Sequence, residues 1–183
     1  ESPSLIYIIP ASLIEACFCR IGSIAGSIVS SDKPISITCF SGALAHSGCT
    51  SSMGDQITST DYAGTDFIIH KGNNDSERVY VLGIQNGTSI SIDNNTTTNT
   101  LINWSETYEY ILSDTLNYIH TSKPVYIWHA TGSGCNLSGA QVPNLICAGR
   151  HSNSFTRSSN DSLGLLLYTT TGSEGMFEIN GNP

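Results

Sequence analysis

The residues of this 183-residue chain whose types could do chemistry are five histidines (His46, His70, His120, His129, His151), six cysteines and a thin scatter of carboxylates. Their spacing argues against most of it. No H-E-x-x-H stretch sets two imidazoles on one helical face for zinc, no C-x-x-C pair forms a ribbon or redox site, and no G-x-S-x-G elbow exposes a serine. The Gly-Ser-Gly at 132–134 reads as a turn. Glycoside hydrolysis needs two carboxyls roughly 5–10 Å apart, and neither Glu106 with Glu109 nor Asp61 with Asp66 stands out from ordinary loop acids. Asp61, Asp66, Asp75, Glu77 and Asp93 lie in or near Asn- and Gly-containing loops that a hard cation accepts, without EF-hand spacing. The sequence predicts no enzyme and no cofactor, calcium being the one ion its loops suit.

The cysteines read better as staples. Cys17, Cys19, Cys39, Cys49, Cys135 and Cys147 make an even set, and seven Asn-x-Ser/Thr triplets start at Asn74, Asn86, Asn94, Asn95, Asn103, Asn136 and Asn160. Both point to an oxidising, extracellular compartment. Three bridges are expected. Cys135 and Cys147 bracket one short loop and Cys39 and Cys49 another. Cys17 and Cys19, two apart on a strand, face the same side and cannot bond each other without strain, so pairings of either with Cys39 or Cys49 compete with a Cys39–Cys49 loop.

Composition narrows the partners. Only 12% of residues are charged, and seven Lys and Arg stand against fifteen Asp and Glu, a formal net charge of −8. Attraction to phosphate backbones or anionic membranes is absent, so nucleic acid is excluded as a partner. No window approaches the ~20 apolar residues of a membrane span, and the chain opens at Glu1 without Met or a leader pattern, which reads as a mature chain.

The elements that must position these residues are strands. Period-two runs rich in Ile, Val, Tyr and Thr occur at 35–38, 66–69, 78–84, 88–93, 108–112, 124–129, 163–169 and 176–179, and none shows a helical stripe. Asn86-Gly87 between two alternating runs signals a hairpin, and the DNNTTTN stretch at 93–99 reads as another tip. The predicted class is all-β, an Ig-like β-sandwich. The chain also repeats itself. SDKPISITCFSG at 31–42 matches TSKPVYIWHATG at 121–132 without a gap at an offset of 123 − 33 = 90, and GDQI at 54–57 resembles GAQV at 139–142. In each copy Lys-Pro reads as the start of a strand, since Pro fixes φ and donates nothing to a ladder. Two related β modules packed together are expected, 13–72 and 73–183, behind a terminal extension at 1–12.

The ordered set SDKPISI, GDQI, GTDFII, ERVYVLGIQNGTSISID, TSKPVYIWHATG, GAQVPNLICAG and FEING resembles the amino-terminal domain of IgG Fc-binding proteins, over most of residues 26–181. The resemblance implies an extracellular, β-rich, adhesion-type module of bacterial secreted and surface proteins, without a known active site.

Residues 4–10, SLIYIIP, form an apolar β-prone run near the start of the chain. Leu5, Tyr7 and Ile9 would share one face, Ile6 and Ile8 the other. Such a strand either pairs within its own subunit or donates itself to the sheet edge of a neighbour, which gives a head-to-tail filament of like copies. The sequence reading is a non-enzymatic structural subunit of a bacterial surface filament, a pilus-like fibre joined by donor-strand exchange. The alternative is a secreted or cell-surface binding module for glycans or glycoproteins, with Tyr62, Trp104 and Trp128 as aromatic platforms. Besides the asparagines, Thr115 in DTL and Ser162 in DSL resemble O-glycosylation sites.

Overall fold

The computed structural model describes residues 5–8, 28–32, 37–46, 49–72, 77–93, 95–133, 136–146, 154, 165–169, 171–178 and 180. Two compact units divide the chain, Glu1–Gly149 and Arg150–Pro183. The first holds eleven described strands and no described α-helix. The all-β, sandwich-like class expected from the period-two runs is what the chain adopts.

One strand organises the first unit. Strand β10, Leu116–Ser133, is 18 residues long and is flanked on both sides along its length. Its first half lies between β5 (Gly64–His70) and β7 (Thr88–Ile92), with Ile119 opposite Phe67 on one side and Ile92 on the other. Its second half lies between β6 (Arg78–Gly83) and β11 (Asn136–Val142), with Ile127 opposite Val81 and Val142. Strands β8 (Asn95–Ile102) and β9 (Thr107–Ile111) extend the two halves outward, on β7 and β6 respectively. Four strand courses therefore run side by side, and β10 changes partners at 121–124, where its register with β5 shifts. Pro124 explains the break, because it has no N–H to give the ladder.

This corrects two expectations. Lys123-Pro124 begins no strand; it marks a bend in the middle of one. Nor does Asn86-Gly87 close a hairpin. β6 and β7 pair with β10 and not with each other, so the loop at 84–87 carries one course around a bend while its direction along β10 is kept. The 93–99 stretch holds a tip only at its start: Ile92 faces Asn95, Asp93 takes φ +51°, and the threonines that follow belong to β8, where β-branched side chains suit a pleated surface.

Both halves of the sheet bury their inner faces in one core. Phe67, Ile69, Val79, Val81, Ile90, Ile92, Ile102, Leu112, Ile119, Val125 and Ile127 form a single buried cluster, each side chain contributing about 1.5–3 kcal/mol by leaving water. Alternation along β6 and β7 puts these residues inward and Arg78, Tyr80, Ser89 and Ser91 outward. A smaller cluster of Leu82, Ile84 and Tyr126 packs with Ala63 beside it. Trp128 is 2% exposed, so it is a core residue and no platform. Gly139 makes room for it, since a Cβ there would sit 2.4 Å from the indole Nε1.

The sequence repeat is a repeat of hairpins. β3 (Ile37–His46) pairs with β4 (Cys49–Ile57), setting Ile37 opposite Ile57, Thr38 opposite Gln56 and Phe40 opposite Gly54. β10 and β11 set Ile127 opposite Val142, Trp128 opposite Gln141 and Ala130 opposite Gly139. The outgoing strands correspond at the offset of 90, the return strands at 142 − 57 = 85, and the pairing is the same. β5, which precedes position 73, is laddered to β10.

The amino-terminal run is spent at home. β1, Leu5–Ile8, pairs antiparallel with β2, Ile28–Ser31, of the same chain, Leu5 facing Ser31 and Ile8 facing Ile28. Donation of this strand to a neighbour has no support in the structure. Ile9 lies outside the described residues. In the second unit, 165–169 carry no regular secondary structure and Glu174–Met176 form a short 3-10 turn. The strands read at 163–169 and 176–179 are absent among the described residues, and Gly172 at φ +92° is a turn position.

Candidate functional site

Two loops and a strand segment meet where the courses bend: the loops 84–87 between β6 and β7 and 103–106 between β8 and β9, and the register break at 121–124 within β10. They are tied across neighbouring courses. The Trp104 amide donates to Asn86 Oδ1 at 2.9 Å and the Gly87 amide donates to Asn103 Oδ1 at 3.1 Å. Lys123 Nζ donates to the Asn86 carbonyl at 2.6 Å, and the Ser89 amide to Ser122 Oγ at 2.9 Å. Backbone bonds from Ser105 to Gly83 and from Gly83 to Glu106, both 2.9 Å, bring the 103–106 loop so close that a Cβ on Gly83 would lie 2.3 Å from the Asn103 carbonyl oxygen. Gly87 at φ +66° and Ser105 at φ +61° take the left-handed conformation that sharp loops demand. A non-glycine residue held there stores strain of the kind found at functional loops.

This crease presents its side chains to solvent. Gln85, Asn86, Asn103, Trp104, Ser105 and Glu106 are all exposed, Trp104 at 40%. Tyr62, 65% exposed, closes the adjacent Thr60–Tyr62 turn, whose next residue, Ala63, packs on Ile84 and its neighbours. Aromatic rings on loops fixed by a rigid sheet are the usual apparatus of recognition.

Two polar groups lie elsewhere. On the outer face of the first half-sheet, Asp66 accepts from the hydroxyls of Tyr118 and Thr65 and pairs with His120 Nδ1 at 2.8 Å. The Thr65 and Tyr118 hydroxyls, with His120, outweigh desolvation and hold its carboxyl at about 2, below the ordinary 3.8. Inside the second half-sheet, Glu77, 2% exposed, meets His129 Nε2 at 3.1 Å and the Gly72 amide at 2.8 Å. Burial alone would raise Glu77, but the Gly72 amide, the Thr131 hydroxyl and His129 hold it below the usual carboxylate value. Burial pushes His129 down despite Glu77 beside it, so Glu77 is ionised and His129 neutral near pH 7. In both groups the hydroxyls bond the carboxylate: Thr65 and Tyr118 on Asp66, Thr131 on Glu77.

The other expected residues fall as follows. Among the described residues no three His, Cys, Asp or Glu come together as metal ligands. Asp61 is tied to Ser59, Asp66 and Glu77 as above, and Asp93 to the Tyr118 amide at 2.6 Å; Asp75 lies outside the described residues. Asn86, Asn103 and Thr115 are exposed. Asn74, Asn94, Asn160 and Ser162, and the side chains of Asn95 and Asn136, lie outside the description. So do Cys17, Cys19, Cys135 and Cys147. Cys39 and Cys49 belong to β3 and β4 with their side chains undescribed, but the register opposes Cys39 to Asp55 and Cys49 to His46.

Sequence spacing carried no sign of the Asp66–His120 or Glu77–His129 pairs, whose members lie 54 and 52 residues apart. The crease was half visible: Asn86 stood out as a sequon and in the Asn86-Gly87 turn signal, Asn103 as a sequon and Trp104 as an aromatic platform, with nothing to bring them together. No helix among the described residues is long and apolar enough to cross a membrane.

Residues 17–182 match the family model described as IgGFc binding protein. No curated protein and no solved structure matches the chain.

Proposed function

The chain belongs to the IgGFc binding protein family, and from that premise we propose that it is an extracellular binding module for glycoproteins, immunoglobulin Fc among them, which engages them through the crease. The observation that carries this reading is the exposed Trp104 held on a loop whose amides are tied to the neighbouring course. A ligand meeting such a loop loses little freedom in ordering it, which is where affinity is gained. The extracellular setting is supported by the paucity of charge, the sequon-rich composition and the six cysteines. Self-assembly into a filament is not part of this reading, because the strand that would join the copies is paired within its own chain.

Surface plasmon resonance of the folded chain over immobilised immunoglobulin Fc, a mucin-type glycoprotein and an unglycosylated control protein tests it. Saturable binding to a glycoprotein and none to the control is expected. Equal responses on all three surfaces, or none, would refute the reading.

A further inference from the structure

The two crease asparagines have their amides oriented by the fold. Asn86 Oδ1 faces the Trp104 N–H and Asn103 Oδ1 faces the Gly87 N–H. A backbone N–H can be met only by the oxygen of a side-chain amide, so each Nδ2 is turned the other way. Neither Nδ2 has a protein partner among the described residues, and both side chains are exposed. Trp104, whose backbone amide Asn86 holds and which follows Asn103 in the chain, is 40% exposed. The arrangement is rigid: its backbone is locked by Gly83, Glu106 and Lys123.

We propose that the crease is a carbohydrate-binding site in which a hexopyranose ring of a glycan stacks on Trp104 while its hydroxyls accept from Nδ2 of Asn86 and Asn103. This rests on the binding-module reading and names the chemistry it recognises. The fit is chemical. A pyranose has an apolar C–H face, which an indole covers, and a rim of hydroxyls, which fixed amide donors meet. Lys123 spends one of its three N–H donors on the Asn86 carbonyl. The proposal also assigns the two sequons: Asn86 and Asn103 receive sugar and do not carry it. Thr88, the third residue of the first, is fully buried with its hydroxyl donated to the Gln85 carbonyl at 2.8 Å.

The test uses the chain's own fluorescence. It has two tryptophans, and Trp128 is buried, so a soluble quencher reads Trp104. The folded chain is screened on an array of N- and O-linked glycans, and the strongest responder is titrated under acrylamide. Protection of Trp104 from quenching is expected, with affinity about tenfold or more weaker in Trp104→Ala and substantially kept in Trp104→Phe. Asn86→Asp and Asn103→Asp keep an oxygen for the loop amides but remove the outward donors; each should weaken the glycan while leaving the melting temperature near wild type. An array without a hit, an unchanged affinity in Trp104→Ala, or a sugar found on Asn86 or Asn103 of native material by mass spectrometry overturns the proposal. Glycoprotein binding that survives both deglycosylation of the partner and Trp104→Ala overturns it while leaving the binding-module reading standing.

Discussion

The Gln141 backbone amide donates to Asp55 Oδ2 at 3.1 Å. Asp55 Oδ1 accepts from the amide of Gln56 at 2.7 Å, and Gln56 and Gln141 are the corresponding glutamines of the two repeated hairpins. One carboxylate thus serves the same position in both copies. The Gln141 side chain completes the seam, bonding Thr58 Oγ1 at 2.8 Å.

Replacing that carboxylate tests the seam. Asp55→Ala leaves the Gln141 amide without its partner in a part-buried setting and should destabilise by about 1–2 kcal/mol, read as a lower urea midpoint with unchanged slope. A midpoint equal to wild type would show the seam is idle.

Much of this was legible in the linear chain and some was not. Local pattern found the class, most of the strands and the stretches that repeat, because alternation and paired Gly-x-Gln-apolar stretches are written within a few residues; that each copy is a hairpin came from the pairing. It failed where tertiary pairing decides. Pro124 read as a strand start because its missing donor is a local fact, whereas the continuation of β10 through it depends on β5 and β6 holding Val125 from either side. Asn86-Gly87 has the residues of a hairpin turn, and only the partnering of β6 and β7 with β10 makes it a corner. Of the crease, the exposed aromatics were visible as types; their anchoring by amides from another course was not.

Core packing gives a sharper prediction. Gly139→Ala forces a methyl to within 2.4 Å of the Trp128 indole nitrogen and should destabilise by about 1–3 kcal/mol. Trp128→Ala removes the largest fully buried side chain and should cost about 3–5 kcal/mol, without changing glycan binding at Trp104 where the variant remains folded. Thermal unfolding followed by near-ultraviolet circular dichroism measures both.

Acid should weaken the fold in two stages. His129 has its folded value pushed below the ordinary 6.5, so below that pH the unfolded chain binds the proton more readily and stability falls. Asp66 sits near 2 against 3.8; its contribution is intact above 3.8 and is lost as the pH drops toward 2. His129→Gln should flatten the melting temperature between pH 7 and 5, and Asp66→Asn should flatten it below 4. Undiminished slopes in both variants would contradict these assignments.

The β3–β4 register opposes Cys39 to Asp55, six residues of ladder or about 20 Å from Cys49. We propose that all six cysteines are paired in secreted material and that no bridge joins Cys39 to Cys49. Peptide mapping under non-reducing conditions checks this, and recovery of a peptide linking those two, or of six free thiols, would refute it.

The central claim is that partners are bound at the crease, and hydrogen–deuterium exchange of the chain with and without immunoglobulin Fc measures it most directly. The account predicts slowed exchange concentrated in 84–87, 103–106 and 121–124. Slowed exchange confined to β1 and β2, or none anywhere in the presence of saturating glycoprotein, would contradict it.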